Sequence, residues 1–114
     1  MTLWYIHGEP EDASVNVSAS GDNTVVAAST TSETYIMGMS VVAQGAVTVT
    51  IKLGARTVGV FPLSTGQSLN FSPMNSHNGA PWFICRKGEA FILNLSGAIQ
   101  VAGTIKTALN QPNP

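Results

Sequence analysis

Charged side chains are scarce in this chain of 114 residues. They make up 10% of the sequence, whereas an average globular protein has about 25%. The net charge is only −1, so copies of the protein repel one another weakly. Its surface must consist mainly of uncharged polar and small residues. We therefore expect the protein to work as a subunit that packs against copies of itself or against a larger partner.

Cysteine, basic clusters and long apolar runs are missing as well. The single cysteine, Cys85, excludes an internal disulfide framework and suits a protein made in a reducing cytosol. The five basic residues are dispersed, so no nucleic-acid partner is expected. No segment approaches the ~20 apolar residues that a membrane helix needs, and the first residues do not form a secretory signal. No membrane partner is expected.

Strand patterns dominate the chain, and helical patterns are absent. No window of about eleven residues keeps apolar positions at helical spacing without Gly, Pro or β-branched residues. In AVTVTIKLG, by contrast, Val47, Val49 and Ile51 alternate with polar residues, as a strand with one buried face requires. EAFILNLS and AIQVAGTIKT alternate in the same way, with Ser96 and Gly97 at the turn between them.

About eight short strands, separated by turn residues, are predicted in all. Their spacing predicts an all-β fold: a single antiparallel β-sandwich, jelly-roll-like, over residues 23–110. Residues 1–22 are predicted to be an N-terminal extension, either an arm or a strap, and residues 111–114 a loose tail. The extension begins with four apolar residues that either its own domain or a partner must cover: Leu3, Trp4, Tyr5 and Ile6.

Two groups of residues contain side chains that could form a metal site or a catalytic site. Neither group has the spacing or the accompanying motif that such a site requires. HGEPED contains His7, Glu9, Glu11 and Asp12, yet it has no second histidine at defined spacing, and a solvated acidic loop is the simpler interpretation. Cys85 and His77 could form a nucleophile and base. The cysteine, however, ends the apolar run PWFIC, where a free cysteine is most often a small buried hydrophobe, and no oxyanion-type glycine motif accompanies it. No metal, cofactor or enzymatic activity is expected.

A polar loop followed by aromatic residues gives a second kind of candidate site. Trp82 could stack on a sugar ring, with Asn75 and His77 supplying polar contacts from the loop before it. Aromatic residues at the start of a strand are also common core residues. The pattern leaves both interpretations open.

The second half of the chain contains a series of turn and strand motifs. The strand pair VTVTIKLGARTVG is followed by a polar loop and then by PWFICRKGEAFILNLSGAIQVAGTIK. The motifs are the pair Trp82-Phe83, the turn Gly88-Glu89-Ala90, and the strands Leu93-Asn94-Leu95-Ser96 and Val101-Ala102-Gly103-Thr104. From Tyr35 onward the chain therefore resembles small β-sandwich or jelly-roll virion proteins of tailed bacteriophages, of the capsid decoration or cement type.

The resemblance implies a structural function. Such a subunit is made in the host cytoplasm, and on the virion surface it covers seams between capsid proteins, commonly as a homotrimer. Its partners would be copies of itself and the major capsid protein or another virion protein, and it would have no catalytic or cofactor residues. Leu3, Trp4, Tyr5 and Ile6 would then contact the virion. A tail or fibre subunit, or a carbohydrate- or receptor-binding module, remains an alternative.

Overall fold

The computed structural model describes residues 11–72 and 81–110, which form nine strands and, within these ranges, no helix. The predicted all-β fold and sandwich are confirmed. The strands are β1 (Glu11–Val17), β2 (Gly21–Val26), β3 (Glu33–Ala43), β4 (Val47–Leu53), β5 (Arg56–Leu63), β6 (Ser68–Phe71), β7 (Phe83–Cys85), β8 (Phe91–Leu95) and β9 (Val101–Asn110).

The strands form two antiparallel sheets. Sheet A has the order β1-β9-β3-β6, with β7 also paired to β3, and sheet B has the order β2-β8-β4-β5. β6 lies opposite residues 39–42 of β3 and β7 opposite residues 34–36, so the two occupy one strand position on the same edge. With β6 and β7 taken as one strand, the first strand pairs with the last, the second with the seventh, the third with the sixth and the fourth with the fifth. This is the strand order of a jelly roll.

Side chains that alternate along the strands fill the space between the sheets. In β4, Val47, Val49, Ile51 and Leu53 are buried, while the residues between them are half-buried. In β8, Phe91, Leu93 and Leu95 are buried in the same alternation, while Ile92 and Asn94 are half-buried. The inward faces predicted for these two strands are confirmed.

Part of the predicted N-terminal extension belongs to sheet A. Residues 11–17 form β1, which pairs with β9 from Glu11 opposite Thr107 to Val17 opposite Val101. Val15 and Val17 are buried in the common core. The predicted turn at Ser96 and Gly97 lies between strands of different sheets, so it connects sheet B to sheet A rather than closing a hairpin within one sheet.

With β6 and β7 taken as one strand, successive strands run in opposite directions, so their connections fall at two ends of the sandwich. The connections 18–20, 44–46, 64–67 and 96–100 lie together at one end, which we call the neutral end. The connections 27–32, 54–55 and 86–90 lie at the other end, which we call the charged end, and there β1 begins and β9 ends.

Candidate functional site

The neutral end contains no ionisable residue. Its four connections read SAS, QGA, STGQ and SGAIQ, and each residue in them is exposed or half-buried. The same lack of charge continues onto the outer face of sheet A, where Ser14, Asn16, Ser40, Val42 and Thr104 are exposed. Together these connections and these five face residues form one surface, which we call the uncharged surface.

Backbone hydrogen bonds hold the connections of the neutral end together. The Gln44 amide donates to the Gln100 carbonyl at 2.9 Å, and the Gly66 amide donates to the Ala43 carbonyl at 2.7 Å. Ser96 and Thr48 are joined twice, since the Ser96 amide donates to the Thr48 carbonyl and the Thr48 amide donates to the Ser96 hydroxyl. Three of the four connections, 44–46, 64–67 and 96–100, are therefore tied to one another or to the adjoining strands and form a preformed surface.

A preformed surface without charged side chains is suited to bind another protein. It can pack closely against another protein without the large cost of removing charged groups from water. Its exposed amides and hydroxyls can form neutral hydrogen bonds across the contact. Because few charges take part, such a contact depends weakly on salt concentration.

The charged end is organised around Glu89. Its carboxylate accepts two hydrogen bonds from the Arg56 guanidinium, at 2.8 and 2.7 Å, and a third from the backbone amide of Arg86 at 2.8 Å. These contacts, chiefly the bonds from Arg56, lower the pKa of Glu89 to about 2. Gly88 has a positive φ of 83° in this turn, a conformation that suits glycine, and its amide donates to the Ser29 carbonyl. Glu89 thus ties the connection 86–90 to β5, and Gly88 ties the same connection to the connection 27–32.

Trp82 is both anchored and partly exposed. Its indole N–H donates to the Ser72 carbonyl at 2.7 Å, and its ring lies 5.2 Å from that of Phe71. Phe71 in turn packs edge-on against Phe61 and Phe83 at the border of the core. The side chain of Trp82 remains 41% exposed, so it borders the core without being enclosed by it. Asn75 and His77 lie outside the described residues.

A polar hollow of about 200 Å³ lies on the outer face of sheet A. Gly38 lines it, next to the register shift between β3 and β9. Ser40 donates to the Asn70 side-chain oxygen at 2.5 Å on one side, and the Asp12 carboxylate lies 3.9 Å from the Lys106 ammonium on the other. Such hydroxyl, amide and charged groups could hold a small hydroxylated ligand. Ser72 also lines the hollow, and its carbonyl is the group that accepts from Trp82.

The remaining predicted site residues are dispersed. Leu3, Trp4, Tyr5, Ile6, His7 and Glu9 lie outside the described residues, and Glu11 and Asp12 belong to β1. In residues 11–72 and 81–110 no three His, Cys, Asp or Glu side chains come together as metal ligands. Cys85 is fully buried, and burial, followed by the nearby Glu89 charge, raises the pKa of its thiol to about 11. The thiol is therefore protonated at neutral pH.

The neutral end is the feature that the sequence motifs did not reveal. Its signal is present in the chain, because the uncharged connections alternate with connections that carry or adjoin charges. This alternation along the chain can be interpreted only once the strands are known to be antiparallel, because alternate connections then lie at the same end of the sandwich.

Comparison of the chain with protein-family models, with curated proteins and with solved structures found no match. The part of the chain that the structure describes includes no helix long and apolar enough to cross a membrane. The jelly-roll strand order and the uncharged surface are therefore the observations on which a functional proposal rests.

Proposed function

We propose that the protein is a structural virion subunit that decorates a phage capsid and stabilises it by covering seams between capsid proteins. The uncharged surface is the observation that carries this proposal. It spans one end and part of one face of the sandwich, and backbone hydrogen bonds hold three of its four loops in a fixed arrangement. Such a surface is suited to lie against another protein.

The energetics of decoration favour a surface of this kind. A rigid contact surface loses little conformational entropy when it binds, and an uncharged one avoids the desolvation of ions. Each copy needs to contribute only a modest affinity, because a capsid offers many equivalent positions and anything that binds only the assembled shell stabilises that shell. Arg86 and Lys87, which are exposed at the charged end, would keep the opposite end of the subunit hydrated.

A binding experiment with two matched pairs of variants tests the proposal. Val42→Glu and Ala98→Glu place a charge on the uncharged surface, whereas Val60→Glu and Ala55→Glu place the same charge on exposed positions of sheet B and the charged end. Purified variants are sedimented with parent capsids that lack the protein. We expect about a tenfold or greater loss of binding for the first pair, equivalent to about 1.4 kcal/mol, and little change for the second.

Salt provides an independent criterion. Binding of the wild-type protein to the capsids should change by less than about threefold between about 0.05 and 0.5 M salt, because screening acts on charges that this contact lacks. A wild-type protein that does not bind the capsids, or equal losses in all four variants, would overturn the proposal. Use of purified tails as the sedimenting particle tests the alternative location in a tail or fibre.

A carbohydrate-binding module is the second candidate, favoured by the exposed and anchored ring of Trp82 beside the polar hollow. On a glycan array, Trp82→Ala should then abolish any binding seen with the wild-type protein. Leu109→Ala, which removes another exposed apolar side chain, is the matched control. Absence of wild-type binding to every glycan would reject this candidate.

A further inference from the structure

Three of the four sheet edges have features that hinder pairing with another strand. β2 contains a register shift between Thr24 and Val26. β5 has a shift in its pairing with β4 and also contains Pro62. The third edge is divided between β6 and β7. Bulges, prolines and short strands are the means by which proteins prevent association through sheet edges.

The fourth edge, β1, lacks these features. All seven of its residues pair with β9 in unbroken register, and the strand EDASVNV contains neither proline nor glycine. Among the described strands, β9 is the sole neighbour of β1. An unbroken edge of this length presents a row of backbone donors and acceptors to which a strand of another molecule can add.

We propose that a second copy of the chain adds its own β1 to this edge, antiparallel, with Ser14 opposite the partner's Ser14. A two-fold axis then passes between the two serines, and both copies use the same residues. The two A sheets join into one continuous sheet, and their outer faces point the same way. The contact is an addition to the proposed capsid binding and does not depend on it.

Charge and hydrogen bonding favour a second copy as the occupant. In this register Glu11 and Asp12 of the two copies stand at opposite ends of the paired strands, so their negative charges are kept apart. Asp12 lies opposite the partner's Asn16. The Asn16 side-chain oxygen already accepts from Gln100 at 2.9 Å, which leaves the Asn16 amide N–H₂ to donate to the partner's Asp12. Such cross-strand pairs add to the stability of a sheet.

The residues on the core-facing side of β1 also match those of a second copy. Ala13 is exposed, whereas Val15, two residues later on the same face, is buried. In the proposed register Ala13 lies opposite the partner's Val15, so pairing would cover Ala13 on both copies. This contact has two-fold symmetry, and it therefore differs from the homotrimer that the phage resemblance implies.

Disulfide crosslinking tests the register. Directly opposed residues of antiparallel strands have Cα atoms about 4.5–5.5 Å apart, within the range that a disulfide spans. Under mild oxidation, Ser14→Cys should give a covalent dimer on a non-reducing gel. Thr24→Cys, exposed on the β2 edge, is the matched control and should remain a monomer. Native Cys85 is buried and should not crosslink.

Charge complementation provides the second measurement. Ser14→Lys and Ser14→Asp should each reduce the light-scattering mass to that of one chain, because like charges would face each other. An equimolar mixture of the two variants should restore a mass about twice that of one chain. A wild-type protein that is monomeric or trimeric at all concentrations, a mixture that stays monomeric, or equal crosslinking of Thr24→Cys and Ser14→Cys would overturn the pairing.

Discussion

Glu89 shows how one side chain can organise an end of a fold that has few charges. It accepts from Arg56, which is 33 positions away in sequence, and from the backbone of Arg86. The sequence placed Glu89 in a turn motif, but it could not identify Arg56 as the partner. That pairing depends on β4, β5 and β8 being assembled in one sheet.

The Glu89 interactions predict a specific dependence of stability on pH. The folded protein holds the pKa of Glu89 at about 2, below its ordinary value of 4.5. The ionised carboxylate therefore stabilises the fold above about pH 4.5, and this contribution is lost as the pH falls toward 2. Glu89→Gln should lower the urea midpoint at neutral pH, and its difference from wild type should shrink in acid.

Glu11→Gln is a suitable comparison for this measurement. It makes the same chemical change at an exposed position on β1, where the structure gives no ion pair with a described residue. We expect its urea midpoint to follow that of the wild type across the pH range. A constant difference between Glu89→Gln and wild type down to about pH 2 would contradict the assignment.

Cys85 is a residue whose environment the sequence predicted correctly. The apolar run before it indicated a buried small hydrophobe, and its exposure in the structure is 0%. With a pKa raised to about 11 by burial, the thiol should react negligibly with an aromatic disulfide reagent at about pH 8. Addition of denaturant should release one fully reactive thiol per chain, and rapid labelling of the folded protein would contradict the burial.

At the level of strands, regular alternation made the centres of the sheets predictable. β4 alternates apolar and polar residues without interruption, β8 does so except at Ile92, and both are central strands of sheet B. β1 was less evident because its first four residues are exposed and only Val15 and Val17 are buried. Its place in the sheet comes from pairing with β9, which is a long-range interaction that a local pattern does not contain.

Close contact between β3 and β9 at Gly103 provides a test of this packing. A β-carbon at Gly103 would collide with the Ser40 carbonyl oxygen and approach the Val41 α-carbon at 2.7 Å. Gly103→Ala should therefore force the strands apart and destabilise the fold by about 1–3 kcal/mol. In thermal unfolding this corresponds to a decrease of at least about 4 °C.

Gly97→Ala is the matched control, because a β-carbon at Gly97 would meet nothing within 4 Å. Its φ is not among the positive values that disfavour other residues. We expect its melting temperature to stay within about 2 °C of wild type. Equal melting temperatures for the two variants would show that β3 and β9 do not approach as closely as described.

For the whole molecule, the fold class followed from the sequence, and the functional surface did not. Turn residues at short intervals predicted a sandwich, because short antiparallel strands bury a common core when two sheets pack face to face. The uncharged surface combines residues from connections that are far apart in the chain. Only the jelly-roll topology brings Ser18, Gln44, Thr65 and Gly97 to the same end.

The topology also predicts slow folding. β1 pairs with β9, and β2 pairs with β8, so the sheets depend on contacts between distant parts of the chain. Loop closure must precede these contacts, and proteins of this type fold in milliseconds to seconds. Refolding of the Ser14→Lys variant, which we expect to be monomeric, should fall in this range when tryptophan fluorescence is followed after dilution from urea. Completion within microseconds would contradict the topology.

β1 begins and β9 ends at the charged end, while the neutral end consists entirely of internal connections. Cargo fused directly before β1 or directly after β9 would join the described fold on the side away from those connections. A reporter domain or peptide epitope attached there would leave the proposed capsid-facing loops unmodified. The protein should therefore serve as a carrier for display on particles, provided that the cargo itself does not cover sheet A.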